Sequence, residues 1–293
     1  MPDQTNTIGI IVHKLDSYFI TCALKGIEEV AAAHGYELII THSQESMEKE
    51  VANAELLFDR QVDGLMASLS VETRGLAHFR PFTEMGVPIV FFDRVEKTGN
   101  SDMVVIDNAR CGFMATEHLI KQGCRRIAII TSSLKRNVYE QRYKGFREAL
   151  KDYSIPFTED LLILADNDKD GGMDAAWRIM HMDPMPDGLF ITNDLVAAVC
   201  MHTLKEEGIR IPEDIAIVGF NNDPVGRLIT PTLTTIDYPG FEIGRTAAKS
   251  LLNHLWGVSS AVQSQTAVVP SGLIVRGSSL RRDRRADLPY CTD

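Results

Sequence analysis

Three apolar runs in this chain end in the same way. Residues 88–92 are followed by Asp93, residues 188–192 by Asn193-Asp194, and residues 215–220 by Asn221-Asn222-Asp223. A carboxylate accepts hydrogen bonds, whereas an amide both donates and accepts. Such groups suit the hydroxyls and ring edges of a small molecule, because ligands of open α/β sheets bind at the carboxyl ends of strands. The same residue types also cap the helix that follows. For Asp194 and Asp223 capping and ligand contact stand level; for Asp93, which precedes a polar loop, ligand contact is favoured. Aromatic residues supply faces to match. Tyr18-Phe19 follows the first apolar run, Phe190 lies inside another, and Tyr238 follows Ile236. A sugar ring or a flat ligand packs on such faces, although residue type alone favours core packing for Phe190. Arg136 and Arg142 flank the loop after residues 127–131. An arginine can fork two hydroxyls or a carboxylate. Arg142 reads as opening a helix, where a cation opposes the helix dipole. A bound oxygen-rich ligand would compensate it; a solvent-exposed arginine is the alternative.

Other chemistries find little support. There is no GxSxG elbow and no phosphate-cradling GxxxxGK[ST] loop. The eight histidines form no HxH or HxxxH pair. A calcium loop counted from Asp166 has Gly171 at its sixth position but Trp177 at its twelfth, where a glutamate is needed. The expectation is therefore no catalytic residue, no metal and no cofactor. The net charge of -10 argues against this chain gripping nucleic acid by itself. The basic cluster Arg281, Arg282, Arg284, Arg285 reads as a solvated tail. Five scattered cysteines without a CxxC pair suit a reducing compartment. With no secretory signal and no bilayer-length apolar run, a cytoplasmic location and no membrane partner are expected.

The elements that must position these residues follow from periodicity. Continuous apolar runs alternate with helix-period segments, which suits parallel strands covered on both faces. Helices are expected after the first strand, where Gly35 reads as a cap, and near 46–60, 72–85, 109–122, 139–152, 171–182, 194–207 and 240–256. Alternation of this kind predicts a doubly wound α/β class. Four runs precede the polar loop at 93–100 and four follow it, which suggests two similar lobes rather than one wide sheet.

Several segments, in this order and spacing, resemble the LacI/GalR family of bacterial transcription regulators. They include residues 6–12, Gln61-Val62-Asp63-Gly64-Leu65, residues 141–146, Thr192-Asn193-Asp194, residues 211–222, Thr230 to Ile236, and residues 273–279. The resemblance implies two periplasmic-binding-protein-like lobes joined by crossover strands, with an effector in the cleft. It implies a first lobe of 7–107 plus 239–266 and a second of 108–238 plus 267–280. Residues 1–6 are expected as a disordered leader and 281–293 as a disordered tail. The first lobe would supply Tyr18, Phe19 and Asp93 to the effector. The second would supply Arg136, Arg142, Phe190, Asn193, Asp194 and Asn221, with Tyr238 at the crossover. Two departures bear on the ligand. The family commonly has aspartate where this chain has Asn221, and Asn-Pro-Phe-Phe where this chain has Asp16-Ser17-Tyr18-Phe19. Tyr18-Phe19 with Arg136-Asn137 is similar to purine-responsive repressors. A sugar is the first expectation and a purine the second. The family also implies a homodimer and control of operator DNA through a helix-turn-helix headpiece, expected to be missing before this core. A solute-binding protein that delivers a sugar to a transporter is the alternative.

Overall fold

The computed structural model describes residues 5–96, 101–258 and 264–281. In chain order the first elements are β1 (Thr7–Val12), α1 (Tyr18–Ala33), β2 (Glu37–His42), α2 (Met47–Asp59), β3 (Gly64–Ala67), α3 (Arg80–Glu84), β4 (Ile89–Phe92) and β5 (Asp102–Val105). Then come α4 (Asn108–Lys121), β6 (Ile127–Thr131), α5 (Asn137–Asp152), β7 (Leu162–Leu164), α6 (Lys169–Met180), β8 (Gly188–Ile191), α7 (Asp194–Glu206), β9 (Ala216–Asn221), α8 (Val225–Leu228) and β10 (Thr234–Asp237). The chain continues through α9 (Gly240–Leu255), β11 (Thr266–Val268) and β12 (Leu273–Ile274). It forms two compact units. The first comprises Met1–Asn108, Ser133–Gln141 and Tyr238–Ser271; the second comprises Ala109–Ser132, Arg142–Asp237 and Gly272–Asp293.

The first unit holds a six-stranded sheet of order β11-β5-β4-β3-β1-β2, with every pairing parallel. Its inner strands β1, β3 and β4 read as apolar runs because both faces are covered. One face packs Leu57, Val62, Phe79 and Phe82 around Ile11, Leu65 and Phe91. On the other, α1 and α9 approach so closely that a Cβ on Gly26 would lie 2.1 Å from the Phe241 carbonyl oxygen. One on Gly244 would lie 2.0 Å from that of Ala23. Helix α1 starts at a Ser17 cap, whose hydroxyl accepts from the Ile20 amide, and ends before Gly35 at φ +75°. That left-handed angle suits glycine.

The second unit holds a sheet of order β12-β10-β9-β8-β6-β7, parallel except for the antiparallel β10–β12 pair. Ile130, Ile163, Leu189, Ile191 and Ile217 pack against Ile179, Val196 and Leu204. The fold class is thus the doubly wound one expected, in two units, with β11 and β12 as the returning strands.

Several local readings change. The helix expected over 72–85 is a 3-10 turn at Ala77–Phe79 followed by α3. Buried Glu50 pins the preceding loop by accepting from the Ser70 amide and the Thr73 hydroxyl, which stops a helix forming there. Thr5, assigned to a leader, donates its amide to Asp63 Oδ1 at 3.0 Å, and the Asn6 carbonyl accepts from the Glu37 amide. Residues 1–4 lie outside the described residues. Arg281, assigned to a tail, is anchored on the carbonyls of Pro212, Asp187 and Asp214. The remainder of that segment, 282–293, lies outside the described residues.

Candidate functional site

The carboxyl edge of the first sheet carries a buried polar cluster. His13 follows β1, Ser68 follows β3, and Asp93-Arg94 follows β4. Ser68 Oγ lies 3.2 Å from His13 Nδ1 and donates to Asp93 Oδ2 at 3.0 Å. The Tyr238 hydroxyl donates to Asp93 Oδ1 at 2.5 Å. Phe19 stacks on Tyr238, with ring centroids 4.0 Å apart and planes within 16°. Burial, followed by the charges of Arg94 and Lys14, holds His13 well below its ordinary pKa and hence neutral. Tyr18, at the start of α1, is half exposed.

A second set of contacts braces this edge. Arg94 Nη1 donates to both oxygens of Glu45, at 2.8 and 2.7 Å, and Nη2 donates to the Tyr139 hydroxyl. Burial alone would lower the Arg94 pKa, but Tyr139, Glu45 and Asp93 raise it overall. Asn137 accepts from the Val95 amide and donates to the Asp93 carbonyl. Arg136 Nη2 donates to the Thr73 carbonyl at 2.7 Å, while the Thr73 hydroxyl is held by Glu50.

In the second unit, Arg142 lies on α5 with its guanidinium 3.5 Å from the centre of the Phe220 ring. It is buried, and Nη1 donates to the Thr192 carbonyl at 3.1 Å. Such stacking keeps the charge desolvated over a π face. Asn193 caps α7, its Oδ1 accepting from the Val196 amide. Asp194 accepts from the Thr235 hydroxyl at 2.8 Å and from the Asp223 amide at 2.8 Å. Asp223 Oδ2 accepts from Asn221 Nδ2, while its buried Oδ1 has no hydrogen-bond partner. Burial, then the charge of Asp223, raises the Asp194 pKa to about 7. Burial likewise raises Asp223 to about 6. Asn221 and Asn222 have φ of 124° and 58°, left-handed values that asparagine tolerates better than most residues.

Among the expected site residues, Phe19, Asp93 and Tyr238 come together in the first unit. Arg136 lies in that unit too, rather than in the second. Arg142, Asn193 and Asn221 stand at the strand-end region of the second. Two of the expected residues take other positions. Asp194 is wholly buried and neither caps α7 nor faces solvent; its carboxylate fixes the turn after β9. Phe190 is wholly buried 6.4 Å from Phe220 and packs as core. Arg142 is the sixth residue of α5 rather than its first, so it does not oppose the N-terminal dipole. His13, Ser68 and Phe220 escape the sequence reading, although His13 and Ser68 obey the strand-end rule that found Asp93. Among the described residues no three His, Cys, Asp or Glu side chains converge to hold a metal, and no helix is long and apolar enough to cross a membrane.

Residues 116–279 match the family described as a periplasmic binding protein-like domain. The chain is 30% identical to the HTH-type transcriptional repressor PurR of Erwinia tasmaniensis, over 98% of this chain and 82% of that protein. It is 28% identical to the ribose operon repressor of Halalkalibacterium halodurans, over 92% of this chain and 78% of that one. In structure it is similar to a regulator from Enterococcus faecium with bound ribose. That match has a TM-score of 0.82 and 29% identity, over 93% of this chain and 98% of that chain.

Proposed function

We propose, since this chain belongs to the LacI/GalR family of transcription regulators, that it senses a small molecule at these strand ends and thereby controls operator binding. It is a transcription regulator and not an enzyme. The carrying observation is Arg142, a buried guanidinium stacked on Phe220 beside the strand ends that bear Asn193 and Asn221. A stacked cation with two amides nearby can grip hydroxyls and a ring edge together. Within the first unit, Asp93, Phe19 and Tyr238 come together at the strand ends. A sugar is the first candidate, supported by the ribose bound in the Enterococcus faecium relative. A purine base is the second, supported by similarity to PurR.

The effector acts by linkage, favouring one conformation only by its differential affinity for two. A coupling of about 1–3 kcal/mol is typical and would set operator affinity through a DNA-reading headpiece. A homodimer follows from the same family reading, because a two-fold protein reads two operator half-sites. The test is a thermal-shift screen of this chain against sugars, sugar phosphates, nucleosides and purine bases. A ligand at about 100 times its Kd adds roughly 2.7 kcal/mol of stability, a rise of several degrees. A panel without any stabilising member would refute the sensor reading.

A further inference from the structure

The first unit contains a cavity of about 290 Å³ lined by Val71, Glu72, Thr73, Arg74, Lys135 and Arg136. This is close to the lower end of small-molecule pockets, roughly 300–1,000 Å³. Its charge is unbalanced, with three cations against one carboxylate. Glu72 is partly engaged elsewhere, because its Oε2 accepts from the Met47 amide at the start of α2. Arg136 is only 8% exposed, and its buried Nε has no hydrogen-bond partner although Nη2 reaches Thr73. A buried charged donor left unpaired is costly.

The placement of Lys135 and Arg136 points the same way. The Arg136 carbonyl accepts from the amides of Tyr139 and Glu140, so the sixteen-residue helix α5 starts at these cations. Cations at a helix N-terminus are unfavourable, and anions there are favourable. Glu140 in the first turn is exposed. An anion in the cavity would meet the helix dipole, the Arg136 guanidinium and the ammonium of Lys135 together.

Building on the sensor reading, we infer that this cavity binds an oxyanion, the phosphoryl or carboxylate group of the effector. The effector is then a sugar phosphate or a sugar acid rather than a neutral sugar. Arg136 supplies directional hydrogen bonds and Lys135 a point charge. The Thr73 carbonyl, fixed through Glu50, holds the guanidinium in place.

The test uses the full chain in thermal shift and calorimetry. The probes are inorganic phosphate, glucose 6-phosphate, ribose 5-phosphate and gluconate, set beside glucose, ribose and adenine at equal ionic strength. The expected result is stabilisation by at least one anionic probe, with no comparable effect from its uncharged counterpart. Affinity should fall at least fivefold in Lys135→Gln, whose exposed side chain can change without disturbing the fold, and further in Arg136→Gln. A phosphoryl preference and a carboxylate preference separate by comparing glucose 6-phosphate with gluconate. Binding of a neutral sugar or of adenine with no gain from charge overturns the oxyanion site and leaves the sensor reading standing. The same follows if an anionic probe binds both variants as tightly as the wild type. A panel in which nothing binds overturns both.

Discussion

The hydroxyl of Tyr238 donates to Asp93 Oδ1 across 145 residues of sequence. The contact ties Tyr238, two residues before α9, to the loop after β4, and Phe19 of α1 closes over the tyrosine ring. Removing one hydroxyl tests it. Tyr238→Phe takes a donor from a buried carboxylate and should cost about 1–3 kcal/mol. Urea unfolding measures this, and a change indistinguishable from zero would show that the pairing contributes nothing.

Arg142→Ala should weaken effector binding by at least about tenfold, or ~1.4 kcal/mol. Arg142→Lys should recover little, because an ammonium does not reproduce planar stacking on Phe220. Calorimetry with the ligand found by the screen decides the matter. Unchanged affinity in both variants would remove this residue from the site.

Asn221→Asp should shift preference from purines toward sugars by about tenfold, or ~1.4 kcal/mol, since a carboxylate only accepts hydrogen bonds. It also sets a second carboxylate against Asp223, which now accepts from the Asn221 amide. The variant should therefore lose more stability relative to the wild type at neutral pH than at acid pH, through like-charge repulsion. Identical selectivity for the two ligand classes would show that this position is not read.

Asp194 and Asp223 predict a particular pH dependence. Their folded pKa values, about 7 and about 6, lie above the ordinary carboxylate range. The folded state therefore holds protons that the unfolded state has released. Their contribution is fully present below the unfolded pKa and is lost as pH rises through the folded values. Denaturant unfolding from about pH 4.5 to about pH 8 should give a wild-type minus Asp194→Asn difference that falls with rising pH. A flat difference would mean that Asp194 stays ionised in the fold.

Much of the fold is written plainly in the chain because buried parallel strands are continuous apolar runs. The polar residues that end them announce the sheet edge, which is why Asp93, Asn193 and Asn221 could be picked out. β11 and β12 have three and two residues, too few for any periodicity, and only the family resemblance implied a return of the chain. Asp194 misleads for a related reason. Its role depends on Thr235, 41 residues further on, and nothing local reveals that the hydroxyl will be there. The 72–85 segment has helical residues, yet Glu50, 23 residues before Thr73, decides its course.

The close contact of α1 with α9 reaches beyond packing. Gly26 and Gly244 let two backbones touch where any side chain would hold them apart. One helix begins at Tyr18 and the other directly after Tyr238 and Pro239. Gly240 presses on the Phe19 carbonyl as well. The two helices are thus welded along their length into one spar whose tip carries both stacked rings. The spacing of the two rings is thus set by backbone touching backbone, with no side chain between the helices there to yield.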